Sequence, residues 1–274
     1  SKGLCNYLYG MGCEMWLENA KCIKDASGIR RLKSDRADAS MIAEYAMRNY
    51  DKAVMYEPLS DSLKQLREYF LGRHQLVCQK ASCTVRMNEK EFTTNKSQAI
   101  CCISEITQNV INEINKGIEI LDAKIKELID SDEELSRIYD IVTSIPGIGT
   151  QNAVCLMVYT NNFKKFNYDA RKIACYYGIA PFGRDSGTSV HSAPHVHYMA
   201  NKLIKSMLTQ AALISVRYCP ILTSYYQRLL GRGKKMMVAL NNVKNKLIHI
   251  VTAMVRNGQK YDSAYRNPFF VTQN

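Results

Sequence analysis

The sequence predicts a short α/β segment followed by a longer, mostly helical region, an α/β plus α class. Three observations carry this. A strand-like stretch, Cys13-Glu14-Met15-Trp16-Leu17, lies among helical patterns near the start. From Ile103 the apolar residues recur at helical spacing through Leu128. Beyond residue 133 the helical patterns are interrupted only at turns marked by Gly or Pro.

Taken in order, residues 4–12 read as a helix, with Leu4, Tyr7, Leu8 and Met11 on one face and Gly12 as its stop. The chain starts at Ser1-Lys2-Gly3, without a Met, and runs at once into this helix, so the reading is of a chain cut inside a domain. The strand-like stretch follows, and residues 25–33 form a polar, basic connection holding Gly28, Arg30, Arg31 and Lys33. A helix begins near Ser34 and carries Met41, Ile42 and Tyr45. Residues 60–90 give an amphipathic helix with Leu63, Leu66, Phe70 and Leu76. The clearest pattern is Ile106, Val110, Ile114, Ile118, Leu121, Ile125 and Leu128. Such a single apolar seam suits half of a helical hairpin or coiled coil, and equally core packing in a bundle. The acidic cluster Asp130-Ser131-Asp132 ends it. The domain reading is therefore 1–59, 60–132 and 133–262, with 263–274 a loose tail. In the third region turns are expected at Pro146-Gly147, Gly178, Pro181–Thr188, Pro220 and Gly231–Gly233, and a last helix carries Val238 to Met254.

A net charge of +12 in 274 residues favours a polyanionic partner, since each neutralised phosphate releases a counterion. Charge alone leaves ribosomal, membrane-surface and nucleic-acid roles open. The ten cysteines include no Cys-x-x-Cys pair, which argues against a zinc ribbon; their scatter suggests buried thiols in a reducing cytosol. Apolar runs such as Ala153–Tyr159 are too short to cross a bilayer, and no signal-peptide pattern is visible.

Four constellations could carry chemistry. Asp35 and Asp38, three residues apart at a helix start, place two carboxylates on one face, as a Mg²⁺ in a phosphoryl-transfer site requires. Acidic first turns also simply complement the helix dipole. Ile145-Pro146-Gly147-Ile148-Gly149 resembles the turn of a helix-hairpin-helix, where Gly147 and Gly149 let backbone amides approach a phosphate; a tight turn needing positive φ is the alternative. Ser186, set among small polar residues, is a candidate nucleophile or a turn serine. His191, His195 and His197 lie close behind it and could supply a base, ligate a metal, or line a surface loop. Finally Lys202, Lys205, Arg228, Arg232, Lys234, Lys235, Lys244 and Lys246 interleave with Tyr218, Tyr225 and Tyr226, which fits phosphate contacts with stacking rings or a solvated basic face. No spacing singles out one of these tyrosines as a nucleophile.

The ordered series Lys33-Ser34-Asp35-Arg36-Ala37-Asp38-Ala39, Ser144-Ile145-Pro146-Gly147-Ile148-Gly149, Gly178-Ile179-Ala180-Pro181, Ser186-Gly187-Thr188-Ser189 and Ala200-Asn201-Lys202 resembles the bacterial insertion-sequence transposases of the IS-one-ten type, the bridge-RNA-guided recombinases. The resemblance spans nearly the whole chain. It implies a RuvC-like (ribonuclease-H-like) domain with an Asp-Glu-Asp-Asp site, a helical coiled-coil insertion, and a C-terminal transposase domain with a catalytic serine. On that resemblance Asp35 and Asp38 match the last two carboxylates, which hold Mg²⁺, and Ser186 matches the nucleophile that links to a DNA phosphate. Gly147, Gly149, Lys202, Lys205, Arg232, Lys234 and Lys235 fall to nucleic-acid binding. The implied partners are DNA, a structured guide RNA and further copies of the chain in a homo-oligomer, in the bacterial cytoplasm at the nucleoid, with no membrane.

Two departures stand out. The first Asp and the Glu of the site would precede residue 1, so the chain is expected to bind Mg²⁺ weakly and to lack catalysis. Behind Ser186, where the family is rich in Lys, Arg and Gly, this chain carries His191, His195 and His197. Nucleic-acid affinity is therefore expected to rise as pH falls through the histidine range. The rival reading is a catalytically inactive nucleic-acid-binding remnant; a third is an oligomerising helical scaffold built on the Ile103–Leu128 seam.

Overall fold

The computed structural model describes residues 2–28, 34–91, 97–186, 190–196 and 201–263; for residues 2, 89–91, 184–186 and 190–195 it describes the backbone alone. It divides into two units, Ser1–Ser60 and Asp61–Asn274. Among the described residues the chain is mostly helical, with one two-stranded sheet.

In the first unit α1 (Lys2–Gly10) stops at Gly12, whose φ of +79° suits glycine. The expected strand at Cys13–Leu17 reduces to a single bridge, Trp16 to Met55, beside a hydrogen bond from the Tyr56 amide to the Met15 carbonyl at 2.7 Å. Helix α2 (Ala20–Ala26) explains why: Asn19 caps it, accepting from the Lys21 amide, and so turns the chain back into helix two residues after Leu17. Helix α3 (Asp35–Arg48) starts where expected, with Ser34 extended and accepting from the Ala37 amide at 3.2 Å. The Trp16 and Tyr45 rings lie 5.6 Å apart, yet no described residue of this unit is buried.

In the second unit α4 (Asp61–Glu91) and α5 (Gln98–Ser131) run antiparallel, since Gly72 faces Leu121 and Leu76 faces Gly117. The base of this pair enters the core through Leu63, Leu66 and Phe70 from α4 and Ile125 and Ile129 from α5, and farther along α5 Ile111 is also buried. Ile103, Ile106 and Val110 on the seam remain exposed. The seam of the sequence is thus core at one end and surface at the other. Arg73 forks onto Asp122 (Nη2 to Oδ2, 3.0 Å), and Gln151 donates to the same carboxylate at 2.8 Å, joining α4 and α5 to α7.

Helix α5 ends at Ser131, and Asp132 caps α6 (Glu133–Thr143) by accepting from the Leu135 amide at 3.0 Å. Helix α7 (Thr150–Thr160) is buried on nearly every side from Ala153 to Val158, as expected of an apolar run too short for a membrane. It packs against α4, α6 and α9 (Lys202–Tyr218), while α11 (Met236–Asn257) packs against α6, α8 (Ala170–Tyr176), α9 and α10 (Pro220–Gly231). Between α8 and α9 lies the sheet: β1 (Pro181–Ser186) pairs antiparallel with β2 (Val190–Val196), with an irregularity between Phe182 and Arg184. The turn expected over Pro181–Thr188 is therefore strand as far as Ser186.

The cysteines depart from expectation. All ten are free, but only Cys155 and Cys219 are buried, while Cys13, Cys22, Cys78, Cys101, Cys102 and Cys175 are exposed. Cys13 and Cys22 lie in the unit with no buried residue, and Cys78, Cys101 and Cys102 lie beyond the buried base of the α4–α5 pair. Burial pushes the Cys155 thiol up to about 12, which leaves it an inert core side chain.

Candidate nucleic-acid interface

The Ile145–Gly149 turn is fixed from below. Ile145 and Ile148 are buried, and Ser215 of α9 donates its hydroxyl to the Pro146 carbonyl at 2.8 Å. Gly147 has φ +103°, and a Cβ there would run into the Ser215 hydroxyl and come within 2.6 Å of the Ser215 amide nitrogen. Glycine at 147 is thus required by the backbone and by the approach of α9. Gly149 differs: it is exposed, its φ is an ordinary −88°, and nothing lies within reach of a Cβ. It stands at the start of α7, whose first amides have no side-chain cap. Such a helix start favours an anion.

Ser186 is the last residue of β1 and pairs with Val190 across the hairpin; Asp185 pairs with His191 and Phe182 with His195. The side chains of Ser186, His191 and His195, and all of His197, lie outside the described part of the structure. The root of the hairpin is anchored. Ile179 and Tyr177 are fully buried, and Asn241 of α11 donates to the Ile179 carbonyl at 2.8 Å. Asn241 is a positioning residue that the sequence did not single out; its partner lies 62 positions away, so no local pattern announces it.

The basic residues separate into three settings. At the start of α9, Asn201 caps by accepting from the Leu203 and Ile204 amides, leaving Lys202 exposed and Lys205 half-buried. Around the α10–α11 junction Arg228, Arg232, Lys234 and Lys235 are all exposed, and α11 starts at Lys235 without a side-chain cap. Among the described residues none of these four forms an ion pair with a carboxylate. Arg217 and Arg228 lie over the rings of Tyr218 and Tyr225, at 5.5 and 5.4 Å. Lys244 stands apart: the sequence grouped it with the surface cations, but it is only 4% exposed. It shares the face of α11 that buries Val243, Leu247, Ile248 and Val251, and its ammonium reaches the Thr209 hydroxyl at 3.3 Å. Burial, then the nearby charge of Lys205, lowers its pKa.

Asp35 and Asp38 lie exposed in the first turn of α3, in the unit that does not contain Ser186. Ser34 supplies the cap, so the two carboxylates are free of capping duty while still complementing the dipole. They fit a Mg²⁺ as one or two carboxylates do when phosphate oxygens and waters complete the shell. Among the described residues no group of three or more His, Cys, Asp or Glu side chains gathers to hold a metal.

Residues 139–227, from α6 to α10, match the model of the Transposase IS116/IS110/IS902 family. The chain is similar to the pilin gene-inverting protein of Moraxella bovis, with 27% identity over 240 residues that cover 85% of this chain and 69% of that protein. It is 31% identical over 153 residues to the insertion element IS110 uncharacterized 43.6 kDa protein of Streptomyces coelicolor, covering 56% of this chain and 36% of that protein. A 24% identity over 173 residues relates it to the insertion element IS900 uncharacterized 42 kDa protein of Mycobacterium paratuberculosis, covering 62% and 43%.

Proposed function

We propose that the chain is a DNA transposase or recombinase of a mobile insertion sequence, with Ser186 as its nucleophile. The observation that carries this is the family match over residues 139–227, which takes in the Ile145–Gly149 turn, the Ser186 hairpin and the start of α9. The similarity to a gene-inverting protein over most of both chains supports recombination in particular.

The Ser186 hydroxyl oxygen attacks a DNA phosphorus and gives up its proton. A phosphoserine bond forms as the bond to a deoxyribose oxygen breaks, and that oxygen takes a proton. A deoxyribose hydroxyl of the new partner strand then attacks the phosphoserine and releases the serine. The exchange conserves the number of phosphodiester bonds. Gly147 shapes the turn, and the Gly149 end of α7 meets a DNA phosphate, with Lys202, Lys205, Arg232, Lys234 and Lys235 neutralising others. Asp35 and Asp38 would hold Mg²⁺, which when bound neutralises charge on a phosphate. In this reading a structured guide RNA selects the DNA by base pairing, several copies of the chain assemble, and the work is done in the bacterial cytoplasm at the nucleoid. Among the described residues no helix is long and apolar enough to cross a membrane.

A second reading, a remnant that binds nucleic acid without cutting it, draws on the ordinary helix-start geometry of Asp35 and Asp38. Incubation with element-end DNA, followed by denaturing electrophoresis, separates the two. A covalent protein–DNA adduct that disappears in Ser186→Ala supports the enzyme. An adduct that persists in Ser186→Ala rules out this serine, and retained DNA binding with no adduct supports the remnant.

A further inference from the structure

Helix α7 ends in an unusual way. Asn161, Asn162 and Phe163 in succession adopt left-handed conformations, with φ of 51°, 53° and 68°, and Asn167 and Tyr168 repeat it at 49° and 54°. Left-handed backbone is unfavourable for residues other than glycine, most of all for a bulky one. Here it is held from inside: Phe163 is fully buried, and its amide donates to the Thr160 hydroxyl at 2.9 Å, itself a buried donor to the Leu156 carbonyl. The backbone strain fixes a short 3-10 turn, Lys164–Phe166, on the surface.

Two of the turn's residues face a partner on α8. The Phe166 and Tyr176 rings lie 5.1 Å apart at 47°, and Tyr176, 37% exposed, leans on the buried Tyr177 at 5.5 Å. Lys164 is committed to Glu134 at 2.6 Å, but Lys165 is not paired with a carboxylate among the described residues. Its ammonium sits 4.5 Å from the Tyr176 ring centre and 5.4 Å from that of Phe166. Half-buried Arg67 of α4 also lacks a carboxylate partner among the described residues, and it stands close enough to act on both neighbours. Burial lowers the Lys165 pKa first, and the Arg67 charge lowers it further. The same guanidinium opposes the rise that burial imposes on Tyr176. Lys165 thus lies over a pair of accessible rings within electrostatic reach of Arg67, and among the described residues neither cation is paired with a carboxylate, an arrangement that an anion attached to a flat ring would relieve.

We propose that Arg67, Lys165, Phe166 and Tyr176 form a site for one unpaired nucleotide, the two cations holding its phosphate and the rings stacking its base. The flexible lysine stem lets its ammonium leave the ring face for the phosphate as the base arrives. The nucleotide is unpaired because a duplex keeps its base faces stacked on one another, while only a splayed or single-stranded base offers a face to Tyr176. The site rests on the proposed action on nucleic acid, and adds a single-strand contact that the Ser186 hairpin and the basic α10–α11 junction do not account for.

The test uses the full chain and fluorescence anisotropy with labelled oligouridylate, oligothymidylate and a mixed-sequence duplex over a range of salt. Tyr176→Leu and the double variant Arg67→Gln/Lys165→Gln are expected to weaken single-strand binding about ten-fold, the scale of one lost stacking contact. The double variant should also flatten the salt slope by about 0.7, one phosphate fewer on a single strand. Tyr176→Phe keeps the ring and should bind like the unaltered chain, and duplex binding should be unchanged throughout. A larger loss on oligouridylate marks an RNA occupant and a larger loss on oligothymidylate a DNA strand; both support the site. Unaltered single-strand affinity in both variants, or equal losses on the duplex, overturns the site and leaves the proposed function standing. Failure of the unaltered chain to bind any of the three overturns the proposed function itself. Should Tyr176→Leu fail to fold, the double variant, altered only at exposed or half-buried cations, decides the question.

Discussion

Apolar side chains of α4, α5, α6, α7, α9 and α11 share one core between Leu63 and Val255, whereas among the described residues of the first unit none is buried. There Leu4, Met11, Leu17, Ile42 and Met47 are each more than half exposed. The first unit is held without a core, by the Asn19 and Ser34 caps, the Trp16–Met55 bridge, and a Tyr56 hydroxyl donating to Asn6 at 2.6 Å. Helices of seven to fourteen residues are marginal in water without packing. The contrast teaches where rigidity resides. The Ser186 hairpin is rooted through Asn241 in the well-packed unit, while Asp35 and Asp38 stand on a helix with little beneath it.

The largest expected effect breaks the packed unit at its tightest point. Gly147→Ala adds a methyl against the Ser215 backbone in a conformation disfavoured for alanine, and should cost about 3 kcal/mol or more. Gly149→Ala, two residues on and in open space, should leave the stability read from the denaturant midpoint within about 0.5 kcal/mol of the unaltered chain. Similar midpoints for the two variants would show that the approach of α9 does not govern this turn. The pair also separates structure from binding, since only Gly149→Ala remains folded well enough to report on DNA contact.

Native-state hydrogen exchange sharpens the comparison next. Amides of α1, α2 and α3 should exchange through openings of no more than about 2 kcal/mol, while those of α7 and α11 should exchange only with global unfolding. A polypeptide of residues 61–263 should unfold cooperatively at the midpoint of the full chain. Protection in α3 equal to that in α7 would erase the distinction between the units.

How far the sequence announced all this depends on the range of the interactions. Local patterns were legible: Ser34 starts α3, the Asp130-Ser131-Asp132 cluster closes α5, and three-to-four spacing marks α5 and α11. The hairpin was not legible, because Gly183, Asp185 and Ser186 are turn formers and what makes them strand is pairing with Val190–Val196. Of the two demands on Gly147, the positive φ was among the readings of the turn, but the close approach of α9 was hidden, since its atoms belong to Ala211 and Ser215. Spacing showed the α5 seam but not that its far end stays exposed, and residue type suggested buried thiols where Cys101 and Cys102 face solvent.

Caps give a smaller and pH-dependent contrast. Asp132→Ala removes the cap of α6 and should cost about 1 kcal/mol at neutral pH. The hydrogen bond from the Leu135 amide lowers the Asp132 pKa. The charged form is therefore favoured by folding, and the stability it contributes is present above the unfolded value of about 3.9 and lost as pH falls through the lower folded value. The difference between Asp132→Ala and the unaltered chain should accordingly shrink in acid. Ser34→Ala removes an equivalent cap from α3, but it should leave the main transition unmoved, because α3 does not share the core that melts there. A shift as large as that of Asp132→Ala would tie the two units into one cooperative structure.

The smallest effect concerns the one buried cation of the packed core among the described residues. Lys244 is inside with a hydroxyl for company and, among the described residues, no paired carboxylate, so Lys244→Met, of similar length, should be neutral or stabilising by about 1 kcal/mol at neutral pH. The sign with pH follows from its lowered pKa. Below the folded value both states carry the proton, and folding bears the full cost of the buried charge. Between that value and about 10.4 the native lysine has released its proton while the unfolded one retains it, so the stability of the unaltered chain rises with pH. The advantage of Lys244→Met should therefore be greatest at neutral pH and fade toward pH 10, measured as the difference in denaturant midpoint. A strong loss of stability in Lys244→Met at every pH would instead mean that the Thr209 contact outweighs the burial, and that α9 and α11 are joined there by a polar tie.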